Sequence, residues 1–187
     1  MFTVVYDANV LYPAPLRDLL IRLGRTRLFH ARWTEAILDE TFRSLEAKRP
    51  DLDPEALART RQLMCDAVPD CIVHGWESLV EHLSLPDADD RHVLAAAIRC
   101  AAQVIVTANM KDFPSGVLAP FDIEAQLPDT FVLGLIDLDP GAVVTVVHQQ
   151  QKDLRRHPKS MPEVLDLLER QGLAQSIAAL RTLLFDS

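Results

Sequence analysis

Asp7 closes the apolar run Val4-Val5-Tyr6 in MFTVVYDANV. A carboxylate so close to a buried strand is costly unless it is paired or bound to a cation. The same position also suits a turn residue or a helix cap. Asn9, two residues on, could orient that carboxylate or hold a water. Glu40 lies mid-helix in TEAILDETFRSL, on roughly the same face as Trp33 and Ile37, while Asp39 points elsewhere. A glutamate on a partly apolar face is commonly a rim residue. In LPDADDRHVLAAAIRC, helix capping and a favourable charge on the helix dipole account for Asp87 and Asp89. Asp90 differs, because it leads directly into the apolar face that begins at Val93. VIVTANMKDFP sets Thr107, Asn109 and Asp112 in a loop after an apolar strand, where Asn and Asp are also ordinary loop residues. None of these positions decides the chemistry alone.

The elements that must position them alternate between strand-like and helix-like segments. Phe2 to Tyr6 reads as a buried first strand. Pro13 and Pro15 introduce a helix to about Leu23, a second runs from about Thr34 to Lys48, and a third starts at Pro54 with Asp53 as N-cap. Cys71-Ile72-Val73 is expected to form a short strand and Glu77 to Leu83 a short helix. Asp89 or Asp90 is expected to cap the helix carrying Val93, Leu94, Ala97, Ile98 and Ala101 at helical spacing. Val104 to Thr107 reads as a core strand, and a weaker strand is expected over Val117 to Ile123. Strands separated by helices imply an α/β domain with a parallel sheet, whose sites lie outside the carboxyl ends of the strands. If the strands are parallel neighbours, Asp7 and the pair Thr107 and Asn109 open toward one rim. Beyond Asp137 the pattern turns wholly helical, and Ser160-Met-Pro-Glu163 matches a capping box. This divides the chain into a main domain over 1–137 and a helical extension over 138–187.

Composition bounds the function. With 187 residues, 49% hydrophobic and 25% charged, the chain can bury a core and is not a disordered sequence. Its apolar runs fall far short of the roughly 20 residues a membrane span needs, and MFTVVYDANV lacks a basic leader, so a cytoplasmic protein is expected. Cys65, Cys71 and Cys100 lack zinc spacing and are expected to be reduced structural thiols. The net charge of −8 argues against a general coat for RNA. It argues less against an enzyme that collects carboxylates for a metal, since a bound cation inverts the local electrostatics.

Taken together, D-x-N after the first strand, a mid-helix Glu, D-x-x-V-L-A-A-A and V-T-x-N-x-K-D-F resemble the PIN domain, and more narrowly the toxin ribonucleases of bacterial VapBC-type toxin–antitoxin pairs. The resemblance covers about residues 2–136; Asp90 through Phe113 is its most specific part. It implies a PIN-like parallel sheet flanked by helices, with the C-terminal helices lying outside the shared core. It implies Asp7, Glu40, Asp90 and Asp112 as an acidic quartet, with Asn9, Thr107 and Asn109 beside it. Asn109 stands where many relatives carry Asp. It further implies an RNA substrate, a cognate antitoxin and a homodimer.

Carboxylate and carbonyl oxygens suit hard cations such as Mg²⁺ or Mn²⁺. Several carboxylates on one rim repel each other without metal, which raises pKa values. Asp7 and Asp90 would be the principal ligands, Glu40 and Asp112 ligands or water-orienting groups, and Thr107 and Asn109 hydrogen-bonding groups. Arg17, Arg91 and Lys111 are candidate phosphate contacts. Two other readings compete. A haloacid dehalogenase-type phosphohydrolase needs a second Asp where this chain has Asn9. A non-catalytic PIN-like module would bind RNA or protein without cutting.

Overall fold

The computed structural model describes residues 1–185. Four strands, β1 (Phe2–Tyr6), β2 (Phe29–Arg32), β3 (Val104–Val106) and β4 (Glu124–Gln126), pair in parallel in the order β2-β1-β3-β4. The two central strands are nearly all apolar. Val4, Val5, Tyr6, Ile105 and Val106 are fully buried, as a parallel sheet covered by helices requires. Val4 lies opposite Val104 and Tyr6 opposite Val106. The next residues, Asp7 and Thr107, therefore leave the sheet side by side at its carboxyl edge. The ladder continues through them, since Asp7 N donates to Val106 O (3.1 Å) and Thr107 N to Gln126 O (3.0 Å).

The helices are α1 (Ala8–Leu11), α2 (Ala14–Gly24), α3 (Glu35–Lys48), α4 (Pro54–Ala67), α5 (Arg91–Arg99), α6 (Ser115–Leu118), α7 (Pro128–Leu138), α8 (Pro140–Asp153), α9 (Met161–Glu169) and α10 (Ala174–Phe185). Their starts follow capping chemistry. Thr34 Oγ1 accepts from Ile37 N (3.0 Å), Asp53 from Glu55 N (3.1 Å), and Ser160 and Glu163 close the expected reciprocal box. α5 packs on β1 and β3, and its Ala95, Ala96 and Ala97 are completely buried, so small side chains let it lie close to the sheet.

Three expectations about elements change, and one strand lies outside them. Phe29–Arg32 is a strand, although only four residues long with His30 turned to solvent. Cys71 to Val73 is not a strand but one bridge, between Ile72 and Trp33. Val117 to Ile123 is helical rather than extended: Pro114 precedes α6, Pro120 sits in the following 3₁₀ turn, and Asp122 at φ 57° ends it. β4 follows only at Glu124. Asp90 stands at the N-cap position of α5, but neither it nor Asp89 accepts a capping bond. Asp87 does so, taking Asp89 N (2.9 Å) at the start of a 3₁₀ turn over Ala88–Asp90 that runs into α5.

An aromatic cluster joins the sheet to the C-terminal helices. Tyr6 stacks on Trp33 (6.1 Å between centroids), and Phe131 of α7 meets Phe29 edge-on at 5.1 Å and Tyr6 at 6.3 Å. Tyr6 Oη donates to Leu20 O of α2 (3.0 Å), which satisfies the polar tip of a fully buried ring. α8 lies on α2, where Gln150 Nε2 donates to Pro15 O (2.9 Å) and Asp153 pairs with Arg22 (3.0 Å). Buried Asp129 of α7 accepts from Gln175 N, Ser176 N and Ser176 Oγ, capping α10 from another helix. Cys65, Cys71 and Cys100 are free thiols, and burial pushes the Cys71 thiol up to about 12. Among the described residues no helix is long and apolar enough to cross a membrane.

Candidate metal centre

At the carboxyl edge of β1, Asp7 is 3% exposed and fully engaged. Its Oδ1 accepts from Ala8 N (2.7 Å), so Asp7 caps the short helix α1; its Oδ2 accepts from Asn9 Nδ2 (2.6 Å) and Thr107 Oγ1 (2.8 Å). Asn9 spans the two strand ends, with its Oδ1 taking Ala108 N (2.9 Å) and its Nδ2 also reaching Thr107 Oγ1 (3.1 Å). Thr107 Oγ1 in turn accepts from Asn109 N (3.0 Å), and Asn109 Nδ2 donates to Asp112 Oδ2. A single network thus runs from the end of β1 through the β3 loop to Asp112.

Asp112 meets two carboxylates from the turn that leads into α5. One oxygen from each of Asp87, Asp90 and Asp112 lies within 4.8 Å of the others. Asp7 and Glu40 are outside that triad, but their charges reach it. Asp90 is pushed up to about 6, first by burial and then by Asp7, Asp87, Asp112 and Glu40. Asp7 is raised by burial and by Glu40, against the lowering effect of its bonds from Thr107 and Ala8. Glu40 projects from α3 and is half-exposed; its Oε2 lies 3.3 Å from His92 Nε2.

The site residues read from sequence therefore fall into three linked groups. Asp7, Asn9, Thr107, Asn109 and Asp112 share the hydrogen-bond network, Asp90 faces Asp112, and Glu40 lies beside His92. In the sequence Asp87 reads only as a helix cap, and His92 has no assigned role. Asp87 is extended at the head of the 3₁₀ turn Ala88–Asp90, so its approach to Asp90 and Asp112 follows from where that turn is placed and not from helical spacing. For His92 no spacing rule applies, because its partner is on another helix. Arg17 donates to Leu11 O (2.7 Å) and Tyr12 O (2.9 Å), so its guanidinium serves the end of α1 rather than the rim.

An all-oxygen donor set in which burial and neighbouring carboxylates raise Asp90 and Asp7 fits a hard divalent cation. Thr107→Val tests the network with nearly constant volume. It leaves Asp7 short of a donor and Asn109 N unpaired, and is expected to cost about 1–3 kcal/mol in urea unfolding at neutral pH. A loss below a few tenths would mean that water replaces the hydroxyl.

Sheet order and acidic rim define the class. Residues 3–111, more than half of the chain, match the family model of the PIN domain, and this chain belongs to that family. Residues 128–182 match a second model, the VapC50 C-terminal domain, making this a VapC-type PIN protein with a C-terminal helical extension. A Mycobacterium tuberculosis protein provisionally named ribonuclease VapC50 is 52% identical over 58 residues, covering 31% of this chain and 34% of that protein. The chain thus matches about a third of the length of this curated relative. No solved structure matches the chain significantly.

Proposed function

We propose that this protein is a metal-dependent endoribonuclease that hydrolyses RNA phosphodiester bonds, and that it is the toxin of a toxin–antitoxin pair. The observation that carries the reading is the convergence of Asp87, Asp90 and Asp112 within 4.8 Å, next to buried Asp7 at the carboxyl edge of a parallel sheet. Membership of the PIN family and the name of the mycobacterial relative support the reaction class.

Asp87, Asp90, Asp112 and Asp7 would hold Mg²⁺ or Mn²⁺, with Glu40 completing the rim. When bound, such a cation supplies Lewis acidity to a water and to a phosphate oxygen, and offsets charge on both the entering and leaving oxygens. The chain's own contribution is orientation. Thr107 and Asn9 keep Asp7 in one rotamer, and Asn109 does the same for Asp112, so the carboxylates need little rearrangement to ligate. Asp90, which makes no capping bond, keeps its oxygens free. Without a cation the acidic rim repels RNA, so substrate and metal enter the site interdependently. Arg91 and Lys111 flank the rim as phosphate contacts, with the Arg91 Nε already anchored on Ala88 O (2.8 Å). A cognate antitoxin covering the rim and a homodimer belong to the same proposal.

Cleavage of a mixed RNA pool by pure protein with Mg²⁺, with Mn²⁺ and with EDTA tests the reaction. Fragments are expected with either metal and none with EDTA. Intact RNA under all conditions, from protein shown to carry no bound partner, would favour the non-catalytic module. Release of phosphate from small esters instead would favour a phosphohydrolase.

A further inference from the structure

His92, the second residue of α5, reaches across to a different helix. Its Nε2 lies 3.3 Å from Glu40 Oε2, its ring rests against Trp76 with centroids 6.0 Å apart, and its side chain is 17% exposed against 49% for Glu40. Its Nδ1 is buried and has no hydrogen-bond partner among the described residues. The one carboxylate within ion-pair distance of this imidazole among the described residues is Glu40, while the ring's field also reaches Asp7. A structural histidine normally satisfies both nitrogens; this one leaves one unsatisfied while presenting the other to a carboxylate at the rim.

Glu40 needs such a partner. Asp7 is fixed by Thr107, Asn9 and Ala8, and Asp112 by Asn109. Glu40 has a longer side chain, sits on a half-exposed helix face and has no other side-chain contact of this kind among the described residues. A free glutamate in that position samples many rotamers, and ordering it at the moment of binding carries an entropic cost. A ring wedged against Trp76 has few alternatives and provides a stationary point to hold Glu40 Oε2, leaving Oε1 without a protein partner.

We infer that His92 is a positioning residue that holds the Glu40 carboxylate at the acidic rim, linking α3 to the start of α5, just after the turn that carries Asp87 and Asp90. The inference rests on the metal-nuclease reading above. Outer partners of metal ligands commonly change metal affinity by about 10–100-fold when removed.

The test is Mn²⁺ affinity, read from the electron paramagnetic resonance signal of free Mn²⁺, in the full chain. His92→Phe keeps a ring against Trp76 and is expected to weaken binding about tenfold. His92→Gln offers an N–H at a similar reach and is expected to restore affinity to within about threefold of the natural protein. In a Glu40→Gln background, His92→Phe should add less than about a twofold change, because the pair no longer exists. Should His92→Phe fail to fold, His92→Leu replaces it with the same expected loss. Natural affinity in His92→Phe, or an equal loss in both Glu40 backgrounds, overturns the inference while leaving the metal site standing. Absence of Mn²⁺ binding and RNA cleavage in the unsubstituted protein would instead overturn the nuclease reading, and this inference with it.

Discussion

Asp90→Asn is expected to abolish RNA cleavage, by about 10³-fold or more if Asp90 is a principal ligand, and at the same time to stabilise the metal-free fold. The second half follows from the electrostatics of the rim. Folding raises the Asp90 carboxyl to about 6, so the folded protein binds that proton more tightly than the unfolded chain does. The penalty is absent below about pH 4, where Asp90 is protonated in both states, and it grows as pH rises through 6. A shift of this size corresponds to about 3 kcal/mol. Asp90 is only half-buried, so solvent screening reduces this to about 1–2 kcal/mol. Urea unfolding in EDTA should therefore show Asp90→Asn more stable than the natural protein at pH 7.5 and equal to it near pH 4. A natural site that gives up stability to keep its chemistry is the general expectation for such clusters. Equal stability at both pH values would mean that neither burial nor the neighbouring carboxylates raise Asp90 in the folded protein.

The second large effect is expected far from the rim. Asp129→Ala removes three bonds from a buried carboxylate to Gln175 N, Ser176 N and Ser176 Oγ. It leaves the first N–H groups of α10 unpaired at the positive end of a helix dipole. Charge-assisted caps of this kind, once broken under burial, cost about 3 kcal/mol. Asp129→Asn keeps an acceptor and should lose about half as much. The loss would appear as a lower urea midpoint, with cleavage per folded molecule unchanged, because α7 and α10 supply no group to the rim. A loss below about 1 kcal/mol would show that water reaches the start of α10.

Much of this arrangement is legible in the linear chain, and the reasons are local. Val4-Val5-Tyr6 and Val104-Ile105-Val106 announce central strands because both faces are covered, which produces unbroken apolar runs. Thr34, Asp53 and Ser160 announce helix starts because capping needs only near neighbours. The residues after the central strands are marked by position, so Asp7 and Thr107 stand out together. Edge strands β2 and β4 are harder. Their pairing comes from β1 and β3 rather than from their own sequence, and three or four residues establish no period. Val117 to Ile123 misleads because its β-branched ends suggest a strand while Pro114 and Pro120 impose helical turns. Capping chemistry accounts for Asp87 so well that its meeting with Asp112 is visible only in three dimensions. The approach of His92 to Glu40 depends on how α3 and α5 lie, which no local pattern records.

Direct titration of the chelator-treated protein with Mn²⁺, followed by calorimetry beside Asp90→Asn, tests the central claim. The acidic rim predicts saturable binding by the natural protein and its loss in Asp90→Asn, with both proteins folded. Saturable binding of equal strength in the two would place the cation elsewhere, and no binding by the folded natural protein at millimolar Mn²⁺ would contradict the metal centre outright.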